Sequence, residues 1–294
     1  MARLTPGTQG GLMSHSSLHD TAPTSFIGTP GIRFAYRRFG REGGAAPVLF
    51  LQHFFGTMDT WDPLLTDRIA ADRPVILFDN AGIGRTTGTT PTRITDMARH
   101  ALSFVRALGI EKLDLFGFGL GGFIAQQILI FDPRLVRRAV LAGTGPRGGE
   151  GMSHYSPEVH SILSHVGPHA TQRQLELFFA PTPTSQAAGK AWLQRIGRRR
   201  DLEPHASPAV GLAQLQAIQE WGRIDGERYA YLKAIHQPIL VINGHNDIMV
   251  PTVNSFILQQ QLPNARLLLY PDSGHAAHFQ YASEVGPEVA RFLD

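Results

Sequence analysis

The segment Leu113-Asp114-Leu115-Phe116-Gly117-Phe118-Gly119-Leu120-Gly121-Gly122 constrains the fold of this chain more than any other. A run with strand character passes without a spacer into a run with helix character, and glycines crowd the junction. So abrupt a junction brings a helix N-terminus against the end of a strand, which is the habit of largely parallel sheets covered by helices. One residue at such a turn takes a strained, positive φ and projects its side chain from the top of the sheet, while small neighbours relieve the crowding. Here that residue is Gly119, flanked by Gly117, Gly121 and Gly122. Glycine adopts the geometry at less steric cost than any side chain, so the turn persists with nothing projecting from it.

Gly117, Gly119 and Gly122 also satisfy G-x-G-x-x-G, the dinucleotide-binding fingerprint. That reading wants an acidic residue about 20 positions further on, at the end of the next strand, to hold the ribose. The next strand reads Arg138-Ala139-Val140-Leu141-Ala142-Gly143-Thr144 and ends without one. The fingerprint also follows at least three earlier strand-like runs. Nucleotide binding therefore remains only a minor alternative.

A chain of 294 residues, 43% hydrophobic and 17% charged, has the material for one large α/β domain with an insertion. Its net charge of +3 carries no extended basic face and argues against nucleic acid as a partner. The one basic cluster, Arg195, Arg198, Arg199 and Arg200, ends a predicted helix, where cations meet the helix dipole and stay solvated. With no cysteine, a disulfide framework, a thiol nucleophile and a cysteine metal site are all excluded. Residues 1–25 lack the apolar run of a signal peptide and read as a flexible extension of a cytoplasmic protein. No stretch is long and apolar enough to cross a membrane.

Strands are predicted at 32–39, 47–53, 74–79, 112–118, 137–143, 238–243 and 266–270, with the glycine-rich link from Gly40 to Pro47 forming a hairpin and an antiparallel start. Met97, Ala101, Leu102, Phe104, Val105 and Leu108 share one helical face that stops at Gly109. The run from Phe123 to Ile130 is apolar around most of its surface, as suits a central buried helix. From about 146 to 230 the strand rhythm breaks, and helices are predicted at Gln172–Phe179, Ala187–Arg199 and Ala209–Trp221, as an inserted helical cap on a domain spanning 26–294.

Two late strands lead into Asn243-Gly244-His245-Asn246-Asp247 and into Asp272-Ser273-Gly274-His275-Ala276-Ala277-His278. An acid and then a histidine at strand ends, after the glycine turn, follow the order of the triad partners in α/β-hydrolases. With Gln52-His53-Phe54-Phe55-Gly56 and Asp79-Asn80-Ala81-Gly82-Ile83-Gly84-Arg85, they make residues 25 to 294 resemble the α/β-hydrolase superfamily, in particular capped bacterial esterases, lactonases and haloperoxidase-like members. The resemblance implies an eight-stranded, mostly parallel sheet flanked by helices. It also implies that Gly119 stands where the family has its nucleophilic serine, that His275 is the general base oriented by Asp247, and that the amides of Leu120 and Phe55 form the oxyanion hole. His53 is read as a loop support, and His245, His278 and Asp272 as supporting or surface groups. Ser273 sits in the histidine loop and does not replace the missing serine.

Without an oxygen at 119 no acyl-enzyme forms there. The expected function is that of a relative of serine esterases acting on a small ester-like or apolar molecule, either inactivated or using a water that His275 deprotonates. A non-catalytic ligand-binding protein is the alternative. No cofactor is required. No pattern such as H-E-x-x-H supports a metal site at His154, His160, His165 and His169, so none is expected. Phe118, Phe123, Phe178 and Phe179 are candidates to line an apolar pocket or simply to pack the core.

Overall fold

The computed structural model describes residues 18–164, 170–224 and 226–294. Eight strands form one sheet: β1 (Ser25–Thr29), β2 (Ile32–Gly40), β3 (Val48–Leu51), β4 (Pro74–Phe78), β5 (Leu113–Phe118), β6 (Val136–Ala142), β7 (Ile239–Gly244) and β8 (Ala265–Tyr270). Their order is β1-β2-β4-β3-β5-β6-β7-β8. The pairs β1·β2 and β2·β4 are antiparallel, and every pair from β4·β3 to β7·β8 is parallel. β3, β4, β5 and β7 are buried along their whole length, which is why they read as continuous apolar runs.

Successive side chains of these strands enter opposite layers. Leu49 and Leu51 face one layer, built on α2 (Ile94–Ala107) and α3 (Leu120–Phe131); Val48 and Phe50 face the other, built on α1 (Pro63–Ala70) and α10 (Ala282–Leu293). Between β6 and β7 the chain forms α4 (Pro157–Ser164), α5 (Ala170–Phe178), α6 (Pro183–Ile196) and α7 (Pro208–Gly222). Prolines open α6 and α7 at positions where the missing N–H has no intrahelical role, and Thr182 and Ser207 cap the first turns. α8 (Val253–Gln261) precedes β8, and the short α9 (Ala277–Gln280) precedes α10.

Several expectations need correction. The link from Gly40 to Pro47 does not pair the strands that it joins, because β2 pairs with β4 and β3 lies beyond it between β4 and β5. The hairpin lies earlier, at β1·β2, where Thr29 faces Ile32 across a turn through Gly31 at φ 80. The arginine cluster is not wholly solvated. Arg195 makes a two-pronged contact to buried Asp62 at 2.9 and 2.6 Å, and Arg199 is buried with its guanidinium on the carbonyls of His19 and Asp20. Arg198 and Arg200 are exposed.

Residues 1–17 of the expected extension lie outside the described residues. From Leu18 onward the chain is packed: Ala22 is buried, and His19 places its backbone N–H on Asp67 and its Nδ1 at 2.8 Å from Thr66 Oγ1. Burial, reinforced by Arg37 and Arg199, holds the His19 imidazole down to about 3 from its ordinary 6.5. A base depressed in the fold binds fewer protons there than in the unfolded chain between those two values, so its stabilisation is complete above about 6.5 and lost as pH falls towards 3. We expect the melting temperature to fall between pH 6.5 and pH 4 on the order of several degrees more steeply in the parent protein than in His19→Gln. Parallel melting curves for the two proteins over that range would contradict the assignment.

Candidate active site

Four loops meet above the C-terminal edge of β3, β5, β7 and β8. Gly119, between β5 and α3, has φ 54 and ψ −114, a backbone state that L side chains rarely adopt. Its N–H donates to Ala142 O at 3.0 Å, and its carbonyl accepts from Gly122 N and Thr144 Oγ1, both at 2.9 Å. The neighbouring glycines serve close packing. A Cβ on Gly121 would lie 1.9 Å from Leu51 O, and one on Gly122 would lie 2.4 Å from Thr144 Oγ1. That use accounts for the glycine pattern without a nucleotide.

A Cβ on Gly119, by contrast, would meet no backbone: its nearest neighbour is His275 Nε2 at 3.2 Å, followed by His53 Cβ at 3.6 Å. Residue 119 thus lies beside the outer nitrogen of His275. The inner nitrogen, Nδ1, is 2.8 Å from Asp247 Oδ2. Asp247 Oδ1 accepts from the amides of Met249 and Val250 at 2.8 and 2.9 Å, so three donors fix the carboxylate. Both residues are buried. The histidine loop is tied down by Ala276 N, which donates to Phe178 O.

The expected oxyanion donors divide. Leu120 opens α3, where the first-turn N–H groups have no intrahelical acceptor, and it lines the cavity with Gly119 and His275. Phe55 does not offer its amide to the site: that N–H donates to Gln214 Oε1 on α7 at 2.9 Å. The free amide of this loop belongs to Phe54, which has no acceptor among the described residues and lines the same cavity. Composition cannot show this, since the two are adjacent phenylalanines that differ only in peptide orientation.

His53 supports its own loop, as expected, with Nδ1 at 2.8 Å from Phe54 O. Burial pushes its pKa down to about 4. His278 is not a surface group. It is buried against Phe118 and Phe279, and burial, with His275 and His53 nearby, holds it well below its ordinary value. His245 is exposed, Asp272 accepts from Thr182, and Ser273 donates to Tyr270 O within its own loop. Phe118 and Phe178 pack on His275, Phe123 lines the cavity, and Phe179 packs on Trp192. His154 contacts Ser153, His160 lies at the edge of Tyr155, and His165 and His169 fall outside the described residues. Among the described residues no group of three metal-ligating side chains occurs, and no helix is long and apolar enough to cross a membrane.

The cavity at Gly119 and His275 has a volume of ≈ 30 Å³, with walls of Phe54, Phe123, Met152, Tyr155, Ile218, Met249 and Val250. A larger cavity of ≈ 590 Å³ lies between α4–α6 and the Asn246 and Gly274 loops, and it reaches none of Gly119, Leu120 and His275. Chemistry at an aligned imidazole belongs to the smaller one.

Comparison with known proteins places the fold. A solved α/β-hydrolase-fold protein of Chitinophaga pinensis superposes with a TM-score of 0.89 at 38% identity, over 95% of this chain and 99% of that one. The candidate carbamate hydrolase RutD of Pseudomonas savastanoi pv. phaseolicola is 30% identical over 79% of this chain and 88% of its own. The candidate non-heme bromoperoxidase BpoC of Mycobacterium tuberculosis is 28% identical over 86% of this chain and 95% of its own. The family model described as the alpha/beta hydrolase fold matches residues 46–282, and with the eight-stranded sheet and its site at the strand ends, the chain belongs to the α/β-hydrolase family.

Proposed function

We propose that this protein hydrolyses a small, uncharged ester-like substrate with water as the nucleophile, His275 acting as the general base and Asp247 orienting it. The observation that carries this reading is the 3.2 Å separation between His275 Nε2 and the point where a side chain of residue 119 would begin, with His275 Nδ1 held 2.8 Å from Asp247. A base is aligned on a place where no side chain stands. The cavity of ≈ 30 Å³ is large enough to hold a water.

In this mechanism the water oxygen attacks the carbonyl carbon and gives its proton to His275 Nε2. The charge formed on the carbonyl oxygen is met by the amides of Leu120 and Phe54, and the protonated imidazole then returns its proton to the leaving alkoxide. No acyl-enzyme forms. The apolar walls favour an uncharged substrate, and the segment between β6 and β7, which contributes Tyr155 ahead of α4 and Ile218 on α7, serves as its cap.

Turnover of aryl acetates and simple lactones is expected to be steady from the first cycle, with no burst and no labelling by a fluorophosphonate. His275→Ala should lower kcat by about 100-fold or more, the usual worth of a positioned general base. Turnover that survives His275→Ala, or labelling of the parent protein, would overturn the mechanism.

A further inference from the structure

We propose that Gln214, on α7, is a positioning residue for the Phe54 amide, clamping the Phe54–Phe55 peptide from the side opposite His53. The proposal rests on the reading of Phe54 as an oxyanion donor. A trans peptide points its C=O and N–H in opposite directions, so partners on both sides fix its plane. Here the carbonyl of Phe54 accepts from His53 Nδ1 at 2.8 Å, and the N–H of Phe55 donates to Gln214 Oε1 at 2.9 Å. A carbonyl oxygen only accepts, so the proton of His53 resides on Nδ1. With this plane fixed, the preceding peptide keeps the N–H of Phe54 at the cavity.

Two further observations place the clamp on α7 rather than on the loop alone. Phe55 has φ 62, a left-handed backbone state that non-glycine residues seldom adopt, and its ring rests on Gly211, where a Cβ would come within 2.0 Å of Cζ. Gln214 itself is fully buried, and its Nε2 has no partner among the described residues. Its orientation is not free to invert, because an N–H of Phe55 facing Nε2 would oppose donor to donor. An apolar side chain at this position would remove the unpaired Nε2 but would leave the Phe55 N–H without its acceptor. Gln214 keeps that donor in order to supply one acceptor to the oxyanion loop. The consequence is that the donor pair is assembled only while α7 is docked.

The test compares Gln214→Met, which fills the space without an acceptor, with Gln214→Glu, which keeps an oxygen for Phe55. Kinetics are read with 4-nitrophenyl acetate in a Gly119→Ser background. Gln214→Met should lower kcat by about tenfold or more, short of the 10²–10³ for losing an oxyanion donor outright, with KM little changed. Its melting temperature should change little, because the unpaired Nε2 is exchanged for an unpaired Phe55 N–H, and Gln214→Glu should recover most of kcat. Leu212→Ala, at an exposed position of the same helix, should leave kcat unchanged. A kcat unaffected by Gln214→Met, or a loss confined to KM, would overturn the clamp. Exchange of the Phe55 amide with deuterium, followed by NMR in the otherwise unaltered protein, should accelerate by about tenfold in Gln214→Met. If the Gly119→Ser parent hydrolyses nothing, the hydrolytic reading fails by itself, and unchanged Phe55 exchange then rejects the clamp.

Discussion

The contact without clearance between α3 and the sheet is the constraint on which the rest of this structure depends. Gly121 leaves no space for a Cβ against Leu51 O, Gly117 none against Gly121 O, and Gly122 none against Thr144. The helix can therefore approach only along one line, and the chain must turn sharply at Gly119 to enter it. That turn sets the height of residue 119 above the sheet and puts the first amides of α3 at the site. β7 and β8, parallel neighbours in the same sheet, deliver Asp247 and His275 to the same edge. The positions of His275, Asp247 and the Leu120 amide thus follow from sheet geometry and do not require residue 119 to carry a side chain.

The helices between β6 and β7 are joined to this frame by buried charges. Arg37 on β2, fully buried, contacts Asp59 at 2.5 Å and Glu203 at 3.1 Å, and Glu203 N donates to Asp59 Oδ2. Arg195 reaches Asp62. Such pairs gain little net stability once desolvation is counted, yet losing one partner strands the other. Their value is in register: the segment joining α6 to α7 has one place to sit, and α7 consequently meets the oxyanion loop in one orientation.

Much of the fold was legible because each central strand is covered on both faces and reads as an unbroken apolar run. β1 was not, since Ser25–Thr29 is short and only half-buried, with a pattern that gives no such run. The partner of β2 was also misread: glycines from Gly40 to Gly44 announce a turn but not which strand lies alongside. Asp247 and His275 were visible through their order and their strand-end positions. That the Phe55 amide is taken by Gln214 was not legible, because peptide orientation leaves no trace in residue type. Gln214 carried no local signal at all; its role exists only where α7 lies against the loop, 159 positions away in sequence. The packed members of the arginine cluster, half-buried Arg195 and buried Arg199, were hidden for the same reason.

The central claim is that the site retains its base and its oxyanion donors and lacks only an oxygen at residue 119. A structure of Gly119→Ser after reaction with diethyl 4-nitrophenyl phosphate tests it most directly. The account predicts phosphorus bonded to the introduced hydroxyl oxygen, with the phosphoryl oxygen on the amides of Leu120 and Phe54 and His275 still on Asp247. A folded variant that forms no adduct, or an adduct whose phosphoryl oxygen turns away from both amides, would contradict it.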